Sequence, residues 1–253
     1  MLRRLFYGVY LVALSVVKKA ITRFIKKDNQ YVHQWLLGHK FLENISKLRI
    51  IEIGAHIGND TKFFIDNYGG SDVIAFEPDP RNFEVLSKRF GSEDRVTLFN
   101  YALSDKSGVT SFFKSIQSEA PPEIINKNIN VKEFGFDPAS FIGSASSSLL
   151  FPSHLDGDSI DVENRRLDDF YKDIGREGIF LTWIDVQGAE KMVIDGGRNL
   201  LNKSKFIWIE YGEVEYPSAL TRDETISCFR STHRVVNLIS NRASKGNLLL
   251  KLI

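Results

Sequence analysis

Apolar runs of four to six residues recur through the chain at Ile50–Ile53, Val73–Phe76, Val96–Tyr101, Ile179–Ile184 and Phe206–Ile209. Between them the apolar positions open out to a helical spacing, as in Phe83, Leu86 and Phe90. Strands alternating with helices predict a largely parallel sheet, because parallel neighbours need a crossover between them. Helices are predicted over residues 60–68, ending ahead of Gly69-Gly70, and from Asp79-Pro80, with the proline at the first helical position. Two more are predicted over 167–174 and 189–194, the latter stopped by Gly196-Gly197. Residues 108–114 read as an extra hairpin strand, and 235–239 with 248–252 as a final antiparallel pair. No repeat or low-complexity linker interrupts this order, so residues 47–253 read as one domain behind an N-terminal helical extension, 1–46. Residues 115–165 form an insertion without clear periodicity, carrying Pro121-Pro122, Pro138, Pro152 and a Ser144–Ser148 cluster. Such long loops are lids, binding loops or mobile surface segments. Read as a lid over the strand ends, this one brings Ser146, Ser147, Ser148 and His154 to a ligand; read as a surface loop, it brings none.

The junction after the first strand carries the most chemistry. Glu52 ends an apolar run and Gly54 and Gly58 follow, glycines that allow positive φ or a close backbone approach. Nineteen residues past Gly58, Glu77-Pro78 ends the second run. A strand, glycine-bearing turn and helix, then a strand with a terminal acid, is how a nucleoside is held, the acid accepting hydrogen bonds from ribose hydroxyls. The spacing Gly54-x-x-x-Gly58 lacks the middle glycine of the dinucleotide fingerprint, with His56 in its place. A carboxylate at Glu52 repels a pyrophosphate and suits a cationic amino-acid group. S-adenosylmethionine (SAM) is therefore expected as cofactor, with NAD as the disfavoured rival.

Five blocks in order resemble a known family: Glu52–Gly58, Phe76–Pro80, Ala102–Asp105, Arg166–Asp169 and Ile184–Glu190 are similar to the successive motifs of FkbM-type SAM-dependent methyltransferases, over about residues 50–210. The resemblance implies a Rossmann-like fold, with a mostly parallel seven-stranded sheet and one C-terminal antiparallel strand, and methyl transfer to a hydroxyl. It implies cofactor contacts from Glu52, Gly54, Ala55, Gly58, Thr61, Glu77 and Pro78, with Ala102, Leu103 and Ser104 lining the adenine. The family usually carries Asp, Asn and Glu where this chain has Glu52, His56 and Gln187, and often Lys where Trp183 stands; Trp183 and Gln187 are expected toward the acceptor side.

Charge narrows the partners. With 33 Lys plus Arg against 32 Asp plus Glu the formal charge is +1, without the basic excess of a nucleic-acid binder. A single cysteine, Cys228, leaves no intrachain disulfide, and a cytoplasmic setting is the default. The N-terminus qualifies that default. Leu5–Val17 is a mostly apolar run of thirteen residues between Arg3-Arg4 and Lys18-Lys19. As a helix it spans about 20 Å, short of a hydrocarbon core of roughly 30 Å. Residues 3–27 read either as a membrane-surface helix with basic flanks or as a helix packed on the domain or on a second copy in a homodimer. Trp35, Leu36, Leu37, Phe41 and Leu42 continue as an apolar helical face.

Methyl transfer to a hydroxyl needs alignment and a proton acceptor. Asp185, at the end of the fourth run, is the expected site acid, with Glu190 and His56 as further catalytic candidates. Each has a plainer role: Asp185 as a cap, Glu190 facing a helix dipole, His56 packed in its turn. Glu210 ends the fifth run in a similar position. Asp185, Glu190 and Glu210 offer the oxygen ligands that Mg²⁺ takes, without requiring a metal, and no His/Cys spacing suggests a transition metal. The expected function is a SAM-dependent O-methyltransferase acting on a sugar hydroxyl of a glycan or glycosylated metabolite. Its rival is a SAM-binding, catalytically weak partner module in a glycan-assembly complex, suggested by Trp183 and Gln187.

Overall fold

The computed structural model describes residues 48–68, 70–114, 148–150, 159–170, 178–212, 216, 219–242 and 245–253, all within one compact unit, residues 46–253. The expected N-terminal extension, its segment at 3–27, and most of the expected insertion, with Ser146, Ser147 and His154, lie outside the described residues. No described helix is long and apolar enough to cross a membrane.

The parallel sheet opens with β1 (Leu48–Ile53), α1 (Asn59–Asn67), β2 (Ser71–Phe76), α2 (Pro80–Phe90) and β3 (Val96–Phe99). After two short strands, β4 (Ala102–Leu103) and β5 (Gly108–Phe113), come β6 (Ser159–Arg165), a 3₁₀ turn at Leu167–Phe170 and β7 (Ile179–Ile184). The chain then forms α3 (Glu190–Gly196), α4 (Arg198–Leu201), β8 (Ser204–Gly212), α5 (Arg222–Phe229), β9 (His233–Arg242) and β10 (Lys245–Leu252). Seven strands lie in the order β3-β2-β1-β7-β8-β10-β9. β10 pairs antiparallel with both β8 and β9, so it alone runs against the other six. This is the Rossmann-like sheet expected from the sequence. Its order reverses beside β1, whose neighbours are β2 and β7. A crevice opens at the strand ends where the order reverses, and ligands bind there in open α/β sheets.

Strand alternation sets what each face buries. On one face Trp183 and Trp208, both 1% exposed, stack with centroids 3.8 Å apart, and Phe64 of α1 meets Trp183 edge-on. On the other, Ile51, Ile53, Ile184, Ile207 and Ile209 pack with Val193 and Ile194 of α3 and Phe229 of α5. The acceptor-side position expected for Trp183 is thereby corrected: one residue out of phase with Ile184, it points into the core under α1.

Several element boundaries also differ. The third strand ends at Phe99, two residues earlier than expected, because the Asn100 side chain donates to the carbonyls of Glu77 (2.7 Å) and Pro78 (3.2 Å). Ala102–Leu103 instead belongs to a second sheet, β4-β6-β5, and β6 extends structure into the expected irregular insertion. Only a 3₁₀ turn, Leu167–Phe170, covers the described start of the helix expected at 167–174. α1 ends at Asn67 with Tyr68 as its C-cap, one residue short of the expected 60–68, and the last three strands are longer than expected.

Two helix starts are locally encoded. Asp79 caps α2 by accepting from Arg81 N at 3.0 Å, with Pro80 as the first helical residue. Thr221 and Glu224 form a reciprocal capping box on α5. Thr221→Ala is expected to cost about 1 kcal/mol of stability, read from the denaturant midpoint, with SAM affinity unchanged.

Candidate active site

The turn after β1 is tied to both neighbouring strands. Gly54 N and Ala55 N both donate to the Phe76 carbonyl (2.9 and 3.0 Å) at the end of β2. Gly54 has φ +89°, and a Cβ there would stand 1.9 Å from the Asp185 carbonyl oxygen past the end of β7. Gly58, φ +81°, faces away: its Cβ would meet Leu86 and Phe90 of α2. Gly54 therefore serves the strand-end crevice, and Gly58 serves helix packing.

A cleft enclosing about 530 Å³ of empty space, part of it open to solvent, occupies the crevice. Gly54, His56, Glu77 and Pro78 form one side, and Asp185 and Gln187 another. Apolar walls come from Tyr101, Leu103, Phe112 and Leu149, with Ala102 beside them. Ser148 anchors that last wall, bridging Phe113 and accepting from Leu150 N through its own hydroxyl, without lining the cavity itself.

Glu77 organises one end of the cavity. One carboxylate oxygen accepts from His56 N (2.8 Å), the other from Asp79 N (2.9 Å) and Asn82 Nδ2 (3.3 Å). Burial outweighs these bonds and lifts its pKa from 4.5 to about 7. Asn82 also lines the cavity, and its buried Oδ1 has no hydrogen-bond partner in the protein. An orphaned acceptor beside an acid fits a ligand with two adjacent hydroxyls, such as a ribose. Sequence reasoning missed Asn82. Its signal was a polar residue two past Pro80 on the buried side of α2.

At the other end Gln187 Nε2 donates to Asp185 Oδ1 (2.5 Å) and to Glu210 Oε2 (3.2 Å). Lys245 Nζ stands 3.2 Å from Glu210 Oε1. Burial raises both acids, and the charge of Asp185 raises Glu210 further, while a hydrogen bond from Glu210 favours ionised Asp185. Gln187 also borders a second, smaller cleft, lined by Glu190, Glu210 and Lys245 among others.

Of the remaining expected residues, Glu52, Thr61, Ser104 and Glu190 are placed apart from the cavity. Glu52 alternates with Ile53 to the opposite face of β1, where it is 1% exposed and accepts from Thr61 Oγ1 at 2.6 Å. Glu52 and Thr61, both expected at the cofactor, are bonded to each other and do not line the cavity. Ser104 accepts from Asn164 Nδ2 (2.7 Å) in the second sheet and does not line the cavity. His56 does line the cavity, and the charges around it are Asp79, Asp60, Arg89 and Arg81, at the Glu77 end. Burial lowers it to about 4, leaving a neutral imidazole. Glu190 accepts from Gly188 N (3.1 Å) and borders the second cleft, not the first. Among the described residues no three acids, histidines or cysteines converge as metal ligands.

Residues 52–242 match the family model described as Methyltransferase FkbM domain. The chain is 36% identical over 204 residues to 2-O-methyltransferase NoeI of Sinorhizobium fredii (strain NBRC 101917 / NGR234), covering 80% of this chain and 78% of that protein. It is 29% identical over 166 residues to Methyltransferase sdnD of Sordaria araneosa, covering 58% and 59% respectively. Among solved structures, an rRNA methylase from Streptococcus thermophilus aligns with a TM-score of 0.47 at 10% identity, over 88% of this chain and 95% of that one.

Proposed function

The chain belongs to the FkbM methyltransferase family, and from that premise we propose that it methylates a hydroxyl of a sugar, with SAM as methyl donor. The observation that carries the reading is the strand-end cleft, with Glu77 and Asn82 at one end and the Asp185–Gln187–Glu210 group at the other. Bound there, SAM supplies a methyl group already activated on a sulfonium. Glu77 and Asn82 would hold the ribose hydroxyls, and Tyr101, Leu103 and Phe112 the adenine. Asp185 would face the reacting end. Its carboxyl oxygens would offer hydrogen-bond acceptors there. Carboxylates and an amide at that end are groups that bind polyols. An oxygen acceptor is supported by the relative named as a 2-O-methyltransferase.

Trp183 no longer motivates an inactive module, since it is a core residue. A divalent metal is compatible with the acids but not required by them. The membrane-surface placement rests on the sequence of residues 3–27 alone.

The test is transfer of labelled methyl groups from SAM to a panel of hexoses, deoxyhexoses and their glycosides. Label recovered as a sugar methyl ether is the expected result. SAM binding without transfer to any sugar would overturn the acceptor class, and absence of SAM binding would overturn the site.

A further inference from the structure

Past the end of β7 the chain makes two successive left-handed residues, Gln187 at φ +53° and Gly188 at φ +97°. Glycine is required at 188, because a Cβ there would lie 2.6 Å from both Cβ and Cγ of Tyr216. Gln187 has no such exemption and carries strain in that conformation. Strain of this kind persists only where the surroundings over-determine it, and it gathers at binding sites. Here the side chain's own amide is the restraint. Nε2 donates to Asp185 Oδ1 at 2.5 Å and to Glu210 Oε2 at 3.2 Å, tying the turn after β7 to β8. An amide has two N–H donors, one for each acid.

The capacity left over is that of the carbonyl oxygen. Oε1 has two lone pairs, and among the described residues it accepts no hydrogen bond. Gln187 is half-buried and lines the strand-end cavity beside Asp185 and Val186. An amide carbonyl is too weak a base to remove a hydroxyl proton. It suits a hydroxyl that keeps its proton through the reaction.

We propose that Gln187 is the residue that selects the acceptor: with Nε2 held by the two acids, Oε1 accepts a hydrogen bond from a sugar hydroxyl other than the one methylated. The assignment rests on the function proposed above and names the atom that reads the sugar. Because the amide is already fixed at its nitrogen, little side-chain freedom remains to be lost when the sugar binds.

The test crosses variants with substrates. SAM affinity and kcat/KM are measured for the wild type, Gln187→Met and Gln187→Glu, with a sugar the wild type methylates and with its singly deoxygenated analogues. For one analogue that retains the methylated hydroxyl, the wild type is expected to lose about fivefold to tenfold in kcat/KM, the scale of one neutral hydrogen bond. Gln187→Met removes the oxygen at similar length. It should bind SAM as the wild type does and treat that analogue and the parent sugar alike. Gln187→Glu keeps an oxygen at the same reach and should keep the discrimination, with a lower overall rate because a third acid faces Asp185 and Glu210. A side chain that served only as a strut would slow every substrate equally and leave the ratio unmoved. The assignment is overturned by a wild type that penalises no analogue, by equal penalties in the wild type and Gln187→Met, by a Gln187→Glu variant that does not discriminate, or by loss of SAM binding in Gln187→Met. A wild type that binds SAM and methylates no sugar would overturn the proposed acceptor class itself, a different failure.

Discussion

Gly54→Ala is expected to leave the protein unfolded, or less stable by more than about 4 kcal/mol, with SAM binding undetectable. The added Cβ would lie 1.9 Å from the Asp185 carbonyl oxygen and 2.9 Å from its carbon. Those are backbone atoms held in the sheet, since Asp185 N donates to the Ile53 carbonyl at 3.0 Å. No side-chain rotation relieves the collision, so β1 and β7 would have to separate where the cavity begins. Positive φ contributes only roughly 1–2 kcal/mol of this. Gly178→Ala isolates that share, because Gly178 has φ +79° with nothing within 4 Å of its would-be Cβ. Denaturant unfolding of both variants should show a small loss at position 178 and a large one at 54. Equal losses would show that the approach to Asp185 is not what requires glycine.

What was legible in the sequence was local. Asp79-Pro80 announced the start of α2, and Glu77 at a strand end announced an acid lining the strand-end cavity, because caps and strand termini are written in adjacent residues. The turn at Gly54 was legible for the same reason. Phase was harder: Glu52 and Trp183 each sit one position from a cavity- or core-facing neighbour, and alternation sends them to the far face. Register was harder still. Lys245 reaches Glu210 only because β10 pairs with β8 so that Lys245 stands opposite Gly212. A spacing of 35 residues along the chain carries no sign of that pairing. Ser104 illustrates a third limit, since its motif resembled an adenine wall while a second sheet claimed its hydroxyl.

Glu77→Gln is expected to weaken SAM binding by about 100-fold or more, on the scale of losing charge-assisted hydrogen bonds worth roughly 1.5–3 kcal/mol each. The loss has two sources. The ionised acid accepts from hydroxyls more strongly than an amide does. The carboxylate also fixes the turn that shapes the cavity, with His56 N on one oxygen and Asp79 N on the other. Gln keeps an acceptor for only one of these donors and sets its amino group against the other. The wild-type pH dependence should carry opposite signs in two measurements. Burial raises Glu77 from 4.5 to about 7, so its contribution to folding is full below 4.5 and is lost as pH rises through about 7. SAM binding favours the ionised form, so affinity should rise as pH increases toward 7, by at most about tenfold per pH unit, and level off above it. The unfolding midpoint of the free protein should therefore fall over the interval in which its shift on adding SAM grows. Glu77→Gln should flatten the rise in affinity and remove its share of the midpoint's fall. An unaltered slope in the variant would assign the titration to another acid and take the ribose contact away from Glu77.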